Sequence, residues 1–258
     1  MDHITWLERF HKELRLEAHT LGYTREETAH VIRHLAEEPE MSFIMASHLN
    51  EQNAVSTIQN ELRYFSAMQK AFEWKVYSYD QPANLKTLLA QEGFTIGEEE
   101  ALMITEMSEN KALLTKIPSS TIQEITTYKG IQDIVHLENQ VWNEAHEELG
   151  ERLWHDKQHY PDSLFLYGIY EQQQLVSAAW MYLEPNSSFA SLWGGSTLVP
   201  FRKKGYYADL LAIRAQKAVE KGALFLTVDA SLMSKPILEK HHFSCVAYSY
   251  GCMSPSNS

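Results

Sequence analysis

Hydrophobic positions near the start of the chain recur at helical spacing, with Leu7, Phe10, Leu14 and Leu21 three, four and seven residues apart. They predict helices across the first forty residues, with Thr24 as N-cap of a second helix through "REETAHVIRHL". From Ser42 the pattern changes. "SFIMASHL" reads as a strand, Ala54 to Lys70 as a helix, "FEWKVYSY" as a strand, "ANLKTLLAQEG" as a short helix and "EALMITEM" as a further strand, with a turn at Asp80-Gln81-Pro82. Alternating strands and helices predict a mixed sheet. The segment "TKIPSSTI" is the predicted linker, and the boundary at Pro118 divides a 1–117 half from a 118–258 half.

Beyond it come a strand "TIQEITTY", two helices across 130–159, and three consecutive strands, "SLFLYGIYE", "QLVSAAWMYLE" and "FASLWGGSTLV". Turns at Glu171–Gln174 and Glu184–Ser188 make these an antiparallel meander. Leu210, Leu211, Ile213, Arg214, Ala218 and Val219 share one face of a helix from Tyr206 to Lys221, closed by Gly222. A strand "ALFLTVD", a short helix "KPILEKH" and final strands in "FSCVAYSYGCM" follow. The two halves echo each other: Asp80 and Phe94 are 14 apart, as are Asp229 and Phe243, and Leu88/Leu89 match Ile237/Leu238 in offset. A shared strand, turn, helix and strand unit is implied.

Composition narrows the function classes. A chain of 258 residues exceeds the usual single domain. Its formal charge of -12 argues against a nucleic-acid or anionic-membrane surface and favours a cationic or neutral partner. No stretch reaches the length of a membrane span, and the charged amphipathic N-terminus lacks a signal-peptide core, so a cytoplasmic location is expected. Cys245 and Cys252 read as reduced thiols. The histidines, among them His155, His159, His241 and His242, show no metal-ligand spacing, and no metal is expected. Trp180, Tyr182 and Trp193 read first as core and second as the wall of a substrate pocket.

The stretch "RKKGYY" concentrates positive charge in this acidic chain. A strand ending near Val199, a basic turn, Gly205 and an immediate helix start aim several backbone N–H groups into one concavity, which is an anion site. Gly205 lets the backbone approach the anion without a Cβ between them. Arg202, Lys203 and Lys204 add charge around it.

These residues resemble the pyrophosphate motif of the GNAT superfamily of acyl-CoA-dependent N-acyltransferases, and "SLMSKPILEKHHF" is similar to that family's later asparagine–tyrosine segment. The resemblance covers residues 121–258. It implies an α/β (α+β) fold, a mixed and mostly antiparallel twisted sheet flanked by helices, preceded by a degenerate GNAT-like N-terminal half. It further implies acetyl-CoA as acyl donor, its pyrophosphate on the N–H groups from Lys203 through Gly205, Tyr206 and Tyr207 to Ala208, and its pantetheine arm beside Ser196, Thr197 and Leu198. Ser231 and Ser234 stand at the positions of the family's asparagine and alanine. Tyr207 occupies a glycine or alanine position, so its side chain is expected to bend outward. Leu238 replaces the tyrosine that protonates the leaving thiolate in many members, which leaves Tyr248, Tyr250 or water as donors. Glu184 and Asp229 are the candidate bases, with capping as the competing role for Asp229. The leading expectation is N-acetyl transfer to a small-molecule or side-chain amine. A non-catalytic acyl-CoA-binding protein, or an acyltransferase using another donor, is the alternative.

Overall fold

The computed structural model describes residues 3–37, 40–118 and 121–255. It divides into two compact units, residues 1–104 with 229–258, and residues 105–228. That division differs from the boundary at Pro118, because the last strand of the chain belongs to the first unit. The predicted linker continues a short helix, α4 (Lys111–Thr115), and its Lys116 pairs with Asp209 at 2.8 Å; Ser119 and Ser120 lie outside the described residues.

Unit 1 opens with α1 (His3–His11), which buries Trp6 and Phe10 and runs into a π-helical turn, Lys12–Leu16. The expected second helix is absent. Residues 24–35 form a hairpin of β1 (Thr24–Glu27) and β2 (Val31–Leu35), paired from Thr24↔Leu35 to Glu27↔Ile32. The Thr28 hydroxyl accepts from the N–H of Val31 at 3.0 Å and of His30 at 3.2 Å, so a local turn displaces helical bonding. Val31, Ile32, Arg33 and His34 are all buried, as in a strand covered on both faces. Then follow β3 (Ser42–Ser47), α2 (Ala54–Ala67), β4 (Phe72–Tyr77), α3 (Leu85–Gln91), β5 (Thr95–Ile96) and β6 (Glu100–Glu106). Arg33 holds the α2 carboxylate of Glu61 through two bonds, 2.6 and 2.8 Å.

The C-terminal part supplies α8 (Lys235–Lys240) and β12 (Ser244–Met253). β12 lies between β4 and β6, antiparallel to both, and completes the order β1-β2-β3-β4-β12-β6. Ile44, Ile58, Phe65, Phe72, Trp74, Leu89 and Cys252 form the core beneath it.

In unit 2, β7 (Ile122–Glu124) is shorter than expected, and α5 (Tyr128–Trp142) and α6 (Glu147–His159) follow. The meander of β8 (Leu164–Glu171), β9 (Gln174–Leu183) and β10 (Phe189–Thr197) is antiparallel as its turns predict. A crossover through α7 (Tyr206–Glu220) brings β11 (Phe225–Ala230) parallel to β10, giving the order β11-β10-β9-β8-β7. The strand pairing is thus mixed and mostly antiparallel. No helix among the described residues is long and apolar enough to cross a membrane.

The internal echo is structural. β3–α2–β4–α3 and β10–α7–β11–α8 each place a helical crossover between two parallel strands, Ser42↔Phe72 to Ile44↔Trp74 in one copy and Phe189↔Phe225 to Ser191↔Thr227 in the other. At equal offsets the chain closes each short helix with the same bond, Phe94 N–H to Leu89 O and Phe243 N–H to Leu238 O, both 3.1 Å. Gly93 and His242, which precede those phenylalanines, both have positive φ, 93° and 61°. Glycine takes that conformation at no steric cost; the histidine of the second copy bears the strain.

Candidate functional site

β10 pairs with β11 only as far as Ser191↔Thr227, so Leu192 to Thr197 keep β9 on one side and, among the described residues, no strand register on the other. A bulge at Gly194–Gly195 shifts the β9–β10 register: Gly194 opposes Ala179, and Ser196 opposes Ala178. Both glycines have positive φ, 67° and 96°. A Cβ on Gly194 would lie 2.3 Å from the Trp180 ring, so the indole packs directly on the backbone there. The extra residue also turns Ser196 onto the same face as Ser191 and Trp193, since their partners Ala178, Trp180 and Tyr182 alternate along β9.

After β10 a single 3₁₀ turn, Val199–Phe201, leads into the basic loop, where Lys203 and Gly205 take left-handed φ of 65° and 89°. Alternation of handedness at successive residues curls backbone N–H groups toward one point, the geometry of an anion nest. α7 then starts without a side-chain cap, and its first helical bond runs from Asp209 N–H to Gly205 O. Nothing lies within 4 Å of a Cβ built on Gly205, so the space before the helix start is open. Arg202 turns back to donate to Thr197 O at 3.1 Å, Lys203 is exposed, and Lys204 sits 4.6 Å from the centre of the Phe201 ring. Tyr206 is buried, donating to Glu171. Tyr207 does not bend outward. Its ring packs toward the bulge, 3.1 Å from where a Cβ on Gly195 would stand, and burial raises its phenol. Ser177 Oγ bonds Ser196 O at 3.1 Å and Thr197 Oγ1 at 2.8 Å, and Leu198 N–H donates to Val176 O.

The corresponding helix start in unit 1 follows a turn bonded by its own side chains. Asn50 Oδ1 accepts from the N–H groups of Gln52 and Asn53, Asn53 Oδ1 from Asn50 N–H, and Asn50 O from Ala54 N–H. The Asn50 and Asn53 side chains thus fill the turn ahead of α2, where the space ahead of Gly205 in the other copy is open.

Two carboxylates, Glu138 buried and Glu184 half-buried, flank Trp193 along one face of β10. Glu184, raised by burial, accepts from Ser191, whose hydroxyl also receives the Trp193 indole N–H at 3.0 Å. Glu138, on α5, accepts at Oε2 from Ser196 Oγ and from Trp142 Nε1, both at 2.8 Å. Its Oε1 is buried without a hydrogen-bond partner among the described residues, and burial raises its carboxyl too. Glu138 was not among the residues singled out from the sequence. Its signal is there: Ile131, Ile134, Val135 and Glu138 form one buried stripe at helical spacing, and a carboxylate on such a stripe calls for a partner. Arg214 is the second unforeseen residue. It sits on the apolar face of α7, fully buried, donating to Leu210 O (3.0 Å), Trp180 O (3.1 Å) and Trp193 O (3.2 Å), and burial lowers its guanidinium to about 10. Those last two carbonyls frame the bulge.

The remaining predicted residues lie in unit 1. Asp229 caps no helix; it accepts from Ser249 Oγ at 2.9 Å and pairs with Lys75 at 3.1 Å. Ser231 and Ser234 bond each other at 3.2 Å ahead of α8. Tyr248 has Lys235 over its ring at 5.7 Å. Tyr250 donates to Glu99, a bond that with burial raises its phenol to about 12. Leu238 is a core residue, 1% exposed, as Leu89 is in the other copy. Among the described residues no group of three or more His, Cys, Asp or Glu is placed to hold a metal ion.

No family sequence model matches the chain, and no curated protein matches it by sequence. Solved structures resemble it over its whole length. A GCN5-related N-acetyltransferase from Kribbella flavida gives a TM-score of 0.68 at 14% identity, covering 99% of this chain and 95% of the other. A functionally unknown conserved protein from Staphylococcus epidermidis gives 0.67 at 14% identity, covering 96% and 98%. A tandem GNAT protein from the clavulanic acid biosynthesis pathway gives 0.64 at 7% identity, covering 94% and 86%. The chain has the fold of the GCN5-related N-acetyltransferases, in two parts as in that tandem protein.

Proposed function

We propose that the protein is an acyl-CoA-dependent N-acyltransferase that moves an acetyl group from acetyl-CoA to an amine. The observation that carries this is the open start of α7: a bare helix N-terminus, left-handed Lys203 and Gly205, and free space before Gly205 suit a diphosphate. In this reading the N–H groups from Lys203 to Ala208 hold the pyrophosphate. The pantetheine arm runs along Ser196, Thr197 and Leu198, where β10 has parted from β11, as an added strand would. The bulge at Gly194–Gly195 presents backbone N–H groups to the thioester carbonyl, which concentrates negative charge during acyl transfer. Ser231, Ser234 and Tyr248 remain donor-side candidates, and Glu184 and Asp229 candidate bases. The charge of -12 favours a cationic amine over a nucleic acid or an anionic membrane as partner, and a cytoplasmic enzyme is proposed.

The 1–117 half is proposed as the degenerate copy, shaping the protein without binding coenzyme A, because the turn ahead of α2 has no left-handed glycine and is occupied by the Asn50 and Asn53 side chains. A second reading, an acyl-CoA-binding protein without turnover, is favoured by one observation: Leu238 is buried where many relatives carry a tyrosine. Calorimetric titration with acetyl-CoA, combined with release of free thiol in the presence of amines, separates the two. Binding with turnover supports the enzyme and binding alone the second reading, whereas no binding removes both.

A further inference from the structure

Glu138 is a glutamate placed where a core residue belongs. It sits one helical heptad after Ile131, is 4% exposed, and has one oxygen committed to Ser196 and Trp142 and the other to nothing. A buried acceptor without a donor is costly, and an isosteric apolar side chain would remove the cost. Packing therefore does not account for it. Its hydrogen bond to β10 comes from the Ser196 hydroxyl, which reaches this face because the Gly194–Gly195 bulge inserts a residue. Trp142 and Trp193, about half exposed, stand to either side along that face.

Resting on the acyltransferase reading, we propose that Glu138, acting through Ser196, takes the proton from the acceptor's alkylammonium group, in place of the carboxylates at either end of the neighbouring strands. One ammonium proton passes to Ser196 Oγ while the serine's own proton passes to Glu138 Oε2. The freed lone pair forms the C–N bond to the acyl carbon. The C–S bond breaks with its electron pair on sulfur, and the second proton lost by nitrogen ends on that sulfur. Burial raises the Glu138 carboxyl, which brings its proton affinity closer to that of an amine and makes the transfer less uphill. Each serine also accepts from an indole, Ser196 from Trp142 at 3.3 Å and Ser191 from Trp193 at 3.0 Å, but Ser191, the partner of Glu184, stands on the part of β10 that β11 pairs.

The test compares two nucleophiles. n-Butylamine is an ammonium at neutral pH and must lose a proton before it attacks; hydroxylamine is already neutral. Glu138→Gln and Ser196→Ala are expected to lower kcat for n-butylamine about 100-fold, within the range of general base catalysis, and in Glu138→Gln the loss with hydroxylamine should be far smaller. Ser196→Thr, which keeps a hydroxyl, restores most of the n-butylamine rate. The wild-type kcat should rise with pH through one limb that Glu138→Gln abolishes. Among the described residues the one ionisable group that acts on Glu138 is His146, at the start of α6, and His146→Gln should leave the limb in place. Equal losses with both nucleophiles, an unchanged Glu138→Gln, or a wild type that binds acetyl-CoA yet acylates neither amine would overturn the proposal. Failure to bind acetyl-CoA at all would instead overturn the reading it rests on.

Discussion

Two glycines eleven positions apart, Gly194 and Gly205, both hold left-handed backbone, at φ 67° and 89°, yet alanine at each should fail differently. At Gly205 the added methyl meets nothing within 4 Å, so only the backbone strain of a left-handed L-residue is paid, about 1–2 kcal/mol. At Gly194 the same strain is joined by a Cβ 2.3, 2.6 and 2.9 Å from three atoms of the buried Trp180 ring. Moving that indole adds about 1–3 kcal/mol of overpacking, for a total of about 2–5 kcal/mol. Binding should rank them the other way. The Gly205 methyl projects into the space assigned to the diphosphate, where each charge-assisted N–H bond contributes about 1.5–3 kcal/mol, so loss of one contact weakens coenzyme A about 10- to 100-fold. Urea denaturation measures the first ranking and calorimetric titration with coenzyme A the second. Gly205→Ala destabilising as much as Gly194→Ala would show that the helix start is not open, and Gly205→Ala binding coenzyme A like the wild type would show that no phosphate sits there.

Arg214→Met should alter stability little, because relief of the desolvation that lowers its guanidinium to about 10, about 3 kcal/mol, offsets two stranded bulge carbonyls at about 1–3 kcal/mol each; thiol release should nevertheless fall as the bulge loosens, and unchanged turnover would remove Arg214 from the site. Burial raises Glu184 above its ordinary value of 4.5, so the folded state holds the extra proton and stability is lost as pH rises through and above that value. Glu184→Gln should therefore gain on the wild type in urea midpoints as pH rises above 4.5, and a parallel pair of curves would contradict the sign. Equilibrium dialysis should find one coenzyme A per chain, and two equivalent sites would refute the contrast drawn between the α2 and α7 starts.

The parts of this fold that local pattern governs were legible. The β8–β10 meander follows from alternation and turns, α7 from its apolar stripe and closing glycine, and the repeat from the matched Asp80–Phe94 and Asp229–Phe243 spacings. Residues 24–35 were not, since helical spacing there competes with a Thr28 turn and with Arg33 reaching across 28 residues to Glu61. The basic loop announced itself by charge and glycine. The Glu138–Ser196 contact spans 58 residues and depends on a one-residue slip that reverses which face Ser196 occupies; no spacing within either strand or helix encodes it. Tyr207 misled for a related reason: a motif position that favours a small residue says nothing of the pocket Gly195 opens on the neighbouring strand.

The place of β12 bears on how the polypeptide matures as it is made. Synthesis proceeds from the N-terminus, and domains that are continuous in sequence condense as they emerge. Here β4 and β6 come first, but the strand that joins them, Ser244–Met253, is made only after β7 to β11. Until then each presents an unpaired edge over Trp74 and Phe72, the kind of surface that recruits other chains. The nascent first half therefore carries those edges until Ser244–Met253 emerges, whereas β7 to β11, which pair with one another, can condense before it.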